Sequence, residues 1–228
     1  MDFSTFETRI GHTFRDKRIL ETAFTHRSYL NENRAPGREH NERFEFLGDA
    51  VLELAVTEFL FGKFPDKPEG DLTAYRAALV NTQSISDCAV KLGMNDFMLL
   101  SRGEAKDTGR ARQIILANAF EALIGALYLD QGYQAAKDFI SKQLFAKADE
   151  VVEKNLWQDA KSKFQEVAQE LSGITPNYKL IDQSGPDHDK HFLVAAYIGV
   201  EKVATGEGKS KQEAEQEAAQ KALISKGW

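Results

Sequence analysis

Apolar side chains recur at three-to-four-residue spacing over residues 44–61, 79–92 and 114–129, which is the period of a helix with a buried face. Pro36-Gly37 and the stretches 65–70 and 103–109 interrupt these runs with proline or glycine, so residues 1–148 read as an all-α domain. From 149 to 158 the chain turns charged and aperiodic, and a linker is expected there. Beyond it the texture changes. A helix is predicted over 160–171 and strands over 178–183, 191–198 and 202–206, with turn signals at Ser184-Gly185-Pro186 and at Gly199. The last helix has a marked start, because Ser210-Lys211-Gln212-Glu213 is spaced as a capping box and Ala214, Ala218 and Ala222 give it a small apolar stripe. Residues 159–228 therefore read as a small α+β domain of order α-β-β-β-α.

Composition narrows the possible roles. At 228 residues and 42% hydrophobic content the chain can bury two modest cores. Its first residues show no basic stretch leading into an apolar one, so export is not expected. The most apolar stretch, 114–129, is short for a bilayer span and is interrupted by Asn118 and Glu121; it reads as a core helix, with no membrane partner. A single Cys88 leaves no intrachain disulfide and no two-thiol zinc or redox motif, which suits a reducing cytoplasm. The net charge of -6 argues against nucleic acid in bulk, so any such contact has to come from the local placement of lysines.

The acids are where the pattern becomes unusual. Glu45, Asp49 and Glu53 follow one another at i, i+4 spacing, with Glu42 three residues ahead, so all four share one helix face. Like charges so placed cost about 0.2–0.5 kcal/mol a pair, and no Lys or Arg lies between Arg43 and Lys63 to offset them. Phe44, Phe46, Leu47, Val51, Leu52, Leu54 and Val56 around them predict a helix buried on most sides, where an ionised carboxylate needs a partner. In 114–129 the only strongly polar side chains are Asn118 and Glu121, also on one face. Gly48 and Gly125 sit mid-helix, where glycine costs stability but lets two backbones approach, so the helices are expected to cross and gather Glu45, Asp49, Asn118 and Glu121. Oxygen donors without Cys or a nearby His select magnesium, with manganese also possible, over zinc. The competing expectation is a set of buried salt bridges to arginines such as Arg27, Arg76 or Arg112, and spacing alone would equally serve a purely structural ion.

The stretch His40-Asn41-Glu42-Arg43-Phe44-Glu45-Phe46-Leu47-Gly48-Asp49-Ala50-Val51-Leu52 closely resembles the signature of bacterial ribonuclease III. Further matches are Thr25-His26-Arg27-Ser28-Tyr29, Glu69-Gly70-Asp71-Leu72, Arg76-Ala77 with Leu79-Val80-Asn81, and Ile115-Leu116-Ala117 followed by Glu121-Ala122-Leu123-Ile124-Gly125. In order and spacing they cover the first domain, and residues 159–228 resemble the double-stranded-RNA-binding module that follows it in the same family. The resemblance implies an endonuclease domain in 1–148, magnesium ligands at Glu45, Asp49 and Glu121, catalytic roles for Asp49 and Glu121, and groove acids at Glu42 and Glu69. It also implies a homodimer with Phe46 packed across the interface; ordinary core packing is the alternative for that residue. Glu53 matches no functional position and reads as a solvated or structural acid. The sequence departs from the family at Asn118, where Asp is usual; the amide carbonyl still ligates a cation but brings no charge.

On the RNA side, Lys209, Ser210 and Lys211 surround a helix amino terminus whose free N–H groups favour phosphate. The resemblance adds Gln165, Glu166 and His188 as groove contacts on duplex RNA, read by shape over about 16 base pairs. From 159 onward there are nine lysines and no arginine against eleven carboxylates, so such contact depends on placement, and the lysines could be no more than a solvated helix start. Other catalytic sets are absent: no Gly-x-Ser-x-Gly occurs, the histidines are scattered, and Gly208-Lys209-Ser210 lacks the first glycine of a phosphate loop. The resulting expectation is a cytoplasmic, homodimeric, metal-dependent endoribonuclease that cuts double-stranded RNA and processes ribosomal precursors and other messenger and transfer transcripts. The alternative is a duplex-binding dimer that cleaves weakly because of Asn118.

Overall fold

The structure, a computed structural model, describes residues 2–33, 36–153, 159–186 and 190–228. They form two compact units, Met1–Trp157 and Gln158–Trp228.

The first unit is helical: α1 (Ser4–Ile10), α2 (Lys17–Ala23), α3 (Arg27–Glu32), α4 (Glu42–Lys63), α5 (Glu69–Val80), α6 (Thr82–Lys91), α7 (Arg110–Gln131), α8 (Tyr133–Ile140) and α9 (Lys147–Glu153). A π-helical stretch, Ser141–Phe145, joins the last two. Its centre is α7, which buries Ile115, Leu116, Phe120, Leu123, Ile124 and Leu127 against its neighbours. Each such side chain contributes about 1.5–3 kcal/mol by leaving water. By length and composition α7 could cross a bilayer, but 67% of its most apolar stretch is buried inside the protein, as in a core helix.

Three sequence expectations change here. The run 79–92 is two helices, because Asn81 is extended and caps both: its Oδ1 accepts from the Ser84 N–H at 2.9 Å and its Nδ2 donates to the Ala78 carbonyl at 2.9 Å. Periodicity cannot register a break that keeps the apolar phase. Helix α4 is not buried on most sides; Val51, Leu52, Ala55, Val56 and Leu60 face the core, while Phe46, Leu54 and Phe61 face solvent. Residues 149–153 of the expected linker belong to α9, where Val151 and Ala148 still pack on the core; the remainder, 154–158, lies outside the described residues.

The second unit runs α10 (Ala160–Ser172), β1 (Asn177–Ser184), β2 (His191–Ile198), β3 (Glu201–Gly208) and α11 (Lys211–Lys226). Its antiparallel sheet has the order β1-β2-β3, and Phe164, Ala196, Ala218, Ala219 and Ala222 are buried between sheet and helices. The alanine stripe of α11 has a partner that periodicity did not reveal. A Cβ on Gly206 would meet the Ala218 nitrogen at 2.2 Å, and one on Gly208 would meet the Ala214 nitrogen at 2.6 Å, so β3 lies backbone against backbone on that stripe.

Candidate active site

Two helices carry the acids, and two glycines set their separation. A Cβ built on Gly48 of α4 would lie 1.8 Å from the Glu121 carbonyl oxygen, and one on Gly125 of α7 would lie 2.2 Å from the Phe44 carbonyl oxygen. No other residue type fits either position without moving a backbone. The crossing puts the turn bearing Glu45 and Asp49 beside the turn bearing Asn118 and Glu121.

The electrostatics record that proximity. Burial first, then the charges of Asp49 and Glu45, together push the Glu121 carboxyl up to about 8 from an ordinary 4.5. Glu45 is raised by burial, then by Glu42, and also by Asp49, while a hydrogen bond from the Asn118 amide works against the rise. Burial removes hydration from the charged form and like charges repel it, so both effects favour a proton or a cation between these groups.

The salt-bridge alternative fails for the central acids. Among the described residues neither Lys nor Arg pairs with Glu45, Asp49 or Glu121. The three candidate arginines are engaged elsewhere: Arg27 reaches Glu42 at 3.3 Å, Arg76 donates to the Thr57 hydroxyl at 3.0 Å, and Arg112 donates to the Glu104 carbonyl at 2.6 Å. Glu42 does acquire a cation, and His40 Nδ1 lies 3.8 Å from its other oxygen. Neither partner is visible from spacing, because both reach Glu42 from outside its helix.

Hard oxygen donors, an uncompensated charge and a raised carboxyl fit a divalent cation held by Glu45, Asp49 and Glu121 with Asn118 beside them. The side chains are grouped but not closed into a cage: among the described residues no three His, Cys, Asp or Glu converge as a complete ligand set. Glu69 stands apart from this group on the first turn of α5, where its carboxylate accepts from the Thr73 hydroxyl at 3.0 Å. It lines an apolar pocket of about 390 Å³ with Leu60, Phe61, Leu72 and Arg76. Phe46 is 82% exposed, which removes the core-packing alternative for it. Glu53 faces solvent.

In the second unit Gln165 and Glu166 are exposed on α10, and Lys209 and Lys211 are exposed at the start of α11. Ser210 caps that helix by accepting from the Glu213 N–H at 3.2 Å, and the Glu213 carboxylate returns to the Lys209 N–H at 2.9 Å. His188 lies outside the described residues.

Known families match both units. The family described as "Ribonuclease-III-like" matches residues 16–148, and the one described as "Double-stranded RNA binding motif" matches residues 160–225. Ribonuclease 3 of Bdellovibrio bacteriovorus is 44% identical over 96% of this chain and 94% of its own length. The chain belongs to the ribonuclease III family. Ribonuclease 3 of Geobacillus kaustophilus is 46% identical over 97% of this chain and 89% of its own length. A solved ribonuclease III nuclease domain from Campylobacter jejuni aligns with a TM-score of 0.56 at 41% identity, covering 62% of this chain and 98% of that one. This ribonuclease III family member is an endoribonuclease by class, with a helical nuclease unit followed by a double-stranded-RNA-binding unit, as its sequence led one to expect.

Proposed function

We propose that this chain is a divalent-metal-dependent endonuclease for double-stranded RNA. The observation that carries the proposal is the Gly48/Gly125 crossing, which holds Asp49 and Glu45 close enough to Glu121 to raise its pKa, with no Lys or Arg among the described residues paired to the three. Magnesium, or manganese, is the group these oxygens suit; once bound it makes a water more acidic and neutralises the leaving oxygen of a phosphodiester. The chain's own contribution is placement. Asp49 and Glu121 lie nearest the chemistry, Glu45 completes the charge, and the Asn118 amide steadies Glu45. Glu121, raised to about 8, would have to give up its proton to hold the cation. Glu42, paired with Arg27, and Glu69 are the acids that the family resemblance assigns to the cleavage groove.

Duplex recognition belongs to the second unit, through the capped start of α11 with Lys209, Ser210 and Lys211, and through Gln165, Glu166 and His188 at the minor grooves. A homodimer is supported by the apolar side of α4, where Phe46, Leu54 and Phe61 are exposed and Phe61 lines a pocket with Leu60 and Leu72. One Campylobacter jejuni nuclease-domain structure is described for flexibility in a region involved in dimer formation. The proposed setting is the cytoplasm and the proposed substrates are structured precursors, ribosomal ones first.

Incubation of the full chain with end-labelled duplex RNA, with magnesium or with chelator, tests the proposal. Discrete cleavage with magnesium, absent with chelator and absent in Glu121→Gln, supports it. Retention of the duplex without any product would instead favour the binding-only reading.

A further inference from the structure

The donor set at the α4/α7 crossing is mixed, and the mixture has consequences for which ion it takes. Of the four oxygen-bearing side chains on the turns that the Gly48/Gly125 crossing brings side by side, Glu45, Asp49 and Glu121 bring charge and Asn118 brings none. Asn118 is half-buried on the α7 face that carries Glu121 one turn later, and its amide engages Glu45. No arginine or lysine among the described residues pairs with the three carboxylates, so their charge alone must draw the cation out of water.

We infer that Asn118 sets the ion preference of this centre, tilting it from Mg2+ toward Mn2+. The inference rests on the proposed metal-dependent reading of the same site. Mg2+ dehydrates reluctantly, so it repays a lost water only when a full negative charge replaces it. Mn2+, larger and more readily dehydrated than Mg2+, accepts a carbonyl oxygen beside carboxylate and water oxygens with less loss. Whether the Asn118 carbonyl ligates directly or its N–H group supports Glu45, this position supplies a dipole where a charge would serve Mg2+ best. The neutral side chain therefore costs Mg2+ more than it costs Mn2+.

Calorimetric titration of MgCl2 and, separately, MnCl2 into metal-free full-length protein reads this without any RNA. Asn118→Asp is expected to tighten Mg2+ by about tenfold and Mn2+ by less than about threefold, so the Mg2+-to-Mn2+ ratio of Kd falls. Asn118→Ser, neutral and smaller, is expected to keep the wild-type ratio within about twofold, and it holds the test open if the aspartate variant folds poorly. An unchanged ratio in Asn118→Asp, with both ions still binding, overturns the inference and leaves the metal site intact. Binding of both ions unaltered by Glu121→Gln would show that they bind elsewhere, which overturns the site reading and the inference together.

Discussion

The α-carbon of Gly48 sits against the carbonyl of Glu121, so close that a methyl group there would come within 1.8 Å of the oxygen. Alanine at this position has to push α4 and α7 apart. Gly48→Ala is expected to destabilise the nuclease unit by about 3 kcal/mol or more, read as a large drop in Tm. Gly62, in the same helix, has nothing within 4 Å of such a methyl. Gly62→Ala is expected to be neutral or to gain about 0.5–1 kcal/mol, so equal melting of the two variants would contradict the crossing.

Folding raises Glu121 from 4.5 to about 8, so between these values the folded chain holds a proton that the unfolded chain has released. Stability from this group is therefore fully present below pH 4.5 and lost as pH rises through about 8. In chelator, thermal melts of the wild type should decline between about pH 5 and pH 8 more steeply than those of Glu121→Gln. Metal affinity should run the other way and rise over the same range, because the ligand must shed its proton. Parallel slopes for the two proteins would remove the raised carboxyl from the account.

Phe46 exposes nearly its whole ring, an arrangement that loses about 1.5–3 kcal/mol of burial in a lone chain. Phe46→Ala is expected to weaken a dimer by about tenfold to a hundredfold in Kd, measured by sedimentation equilibrium, with Tm of the dilute chain little changed. A monomeric wild type at high concentration would contradict the dimer.

Lys211 and the Ser210 cap separate two contributions at the start of α11. Lys211→Ala is expected to weaken duplex binding and lower the slope of log K against log salt by about one unit. Ser210→Ala is expected to cost about 1 kcal/mol of stability through the lost cap. Filter binding at several salt concentrations distinguishes them, and an unchanged slope in Lys211→Ala would exclude the phosphate contact.

Much of this arrangement was legible in the residues themselves. Helical period placed α4 and α7, the mid-helix glycines foretold their crossing, and acids on apolar helices marked the site. What escaped was whatever depends on partners distant in sequence. Gly206 and Gly208 seating β3 on α11 is a tertiary relationship with no local periodic signal, and Arg27, expected among the arginines that would pair with the acids, reaches only the outer one, Glu42. Periodicity also missed the exposed side of α4, since it reads Leu54 and Phe61 like core residues, whereas the family resemblance had set Phe46 apart.

Anomalous scattering from manganese-soaked crystals of the full chain tests the central claim most directly. The account requires a peak between α4 and α7 within ligand distance of Glu45, Asp49 and Glu121, lost in Glu121→Gln. A manganese peak elsewhere, with these carboxylates free of metal, would contradict it.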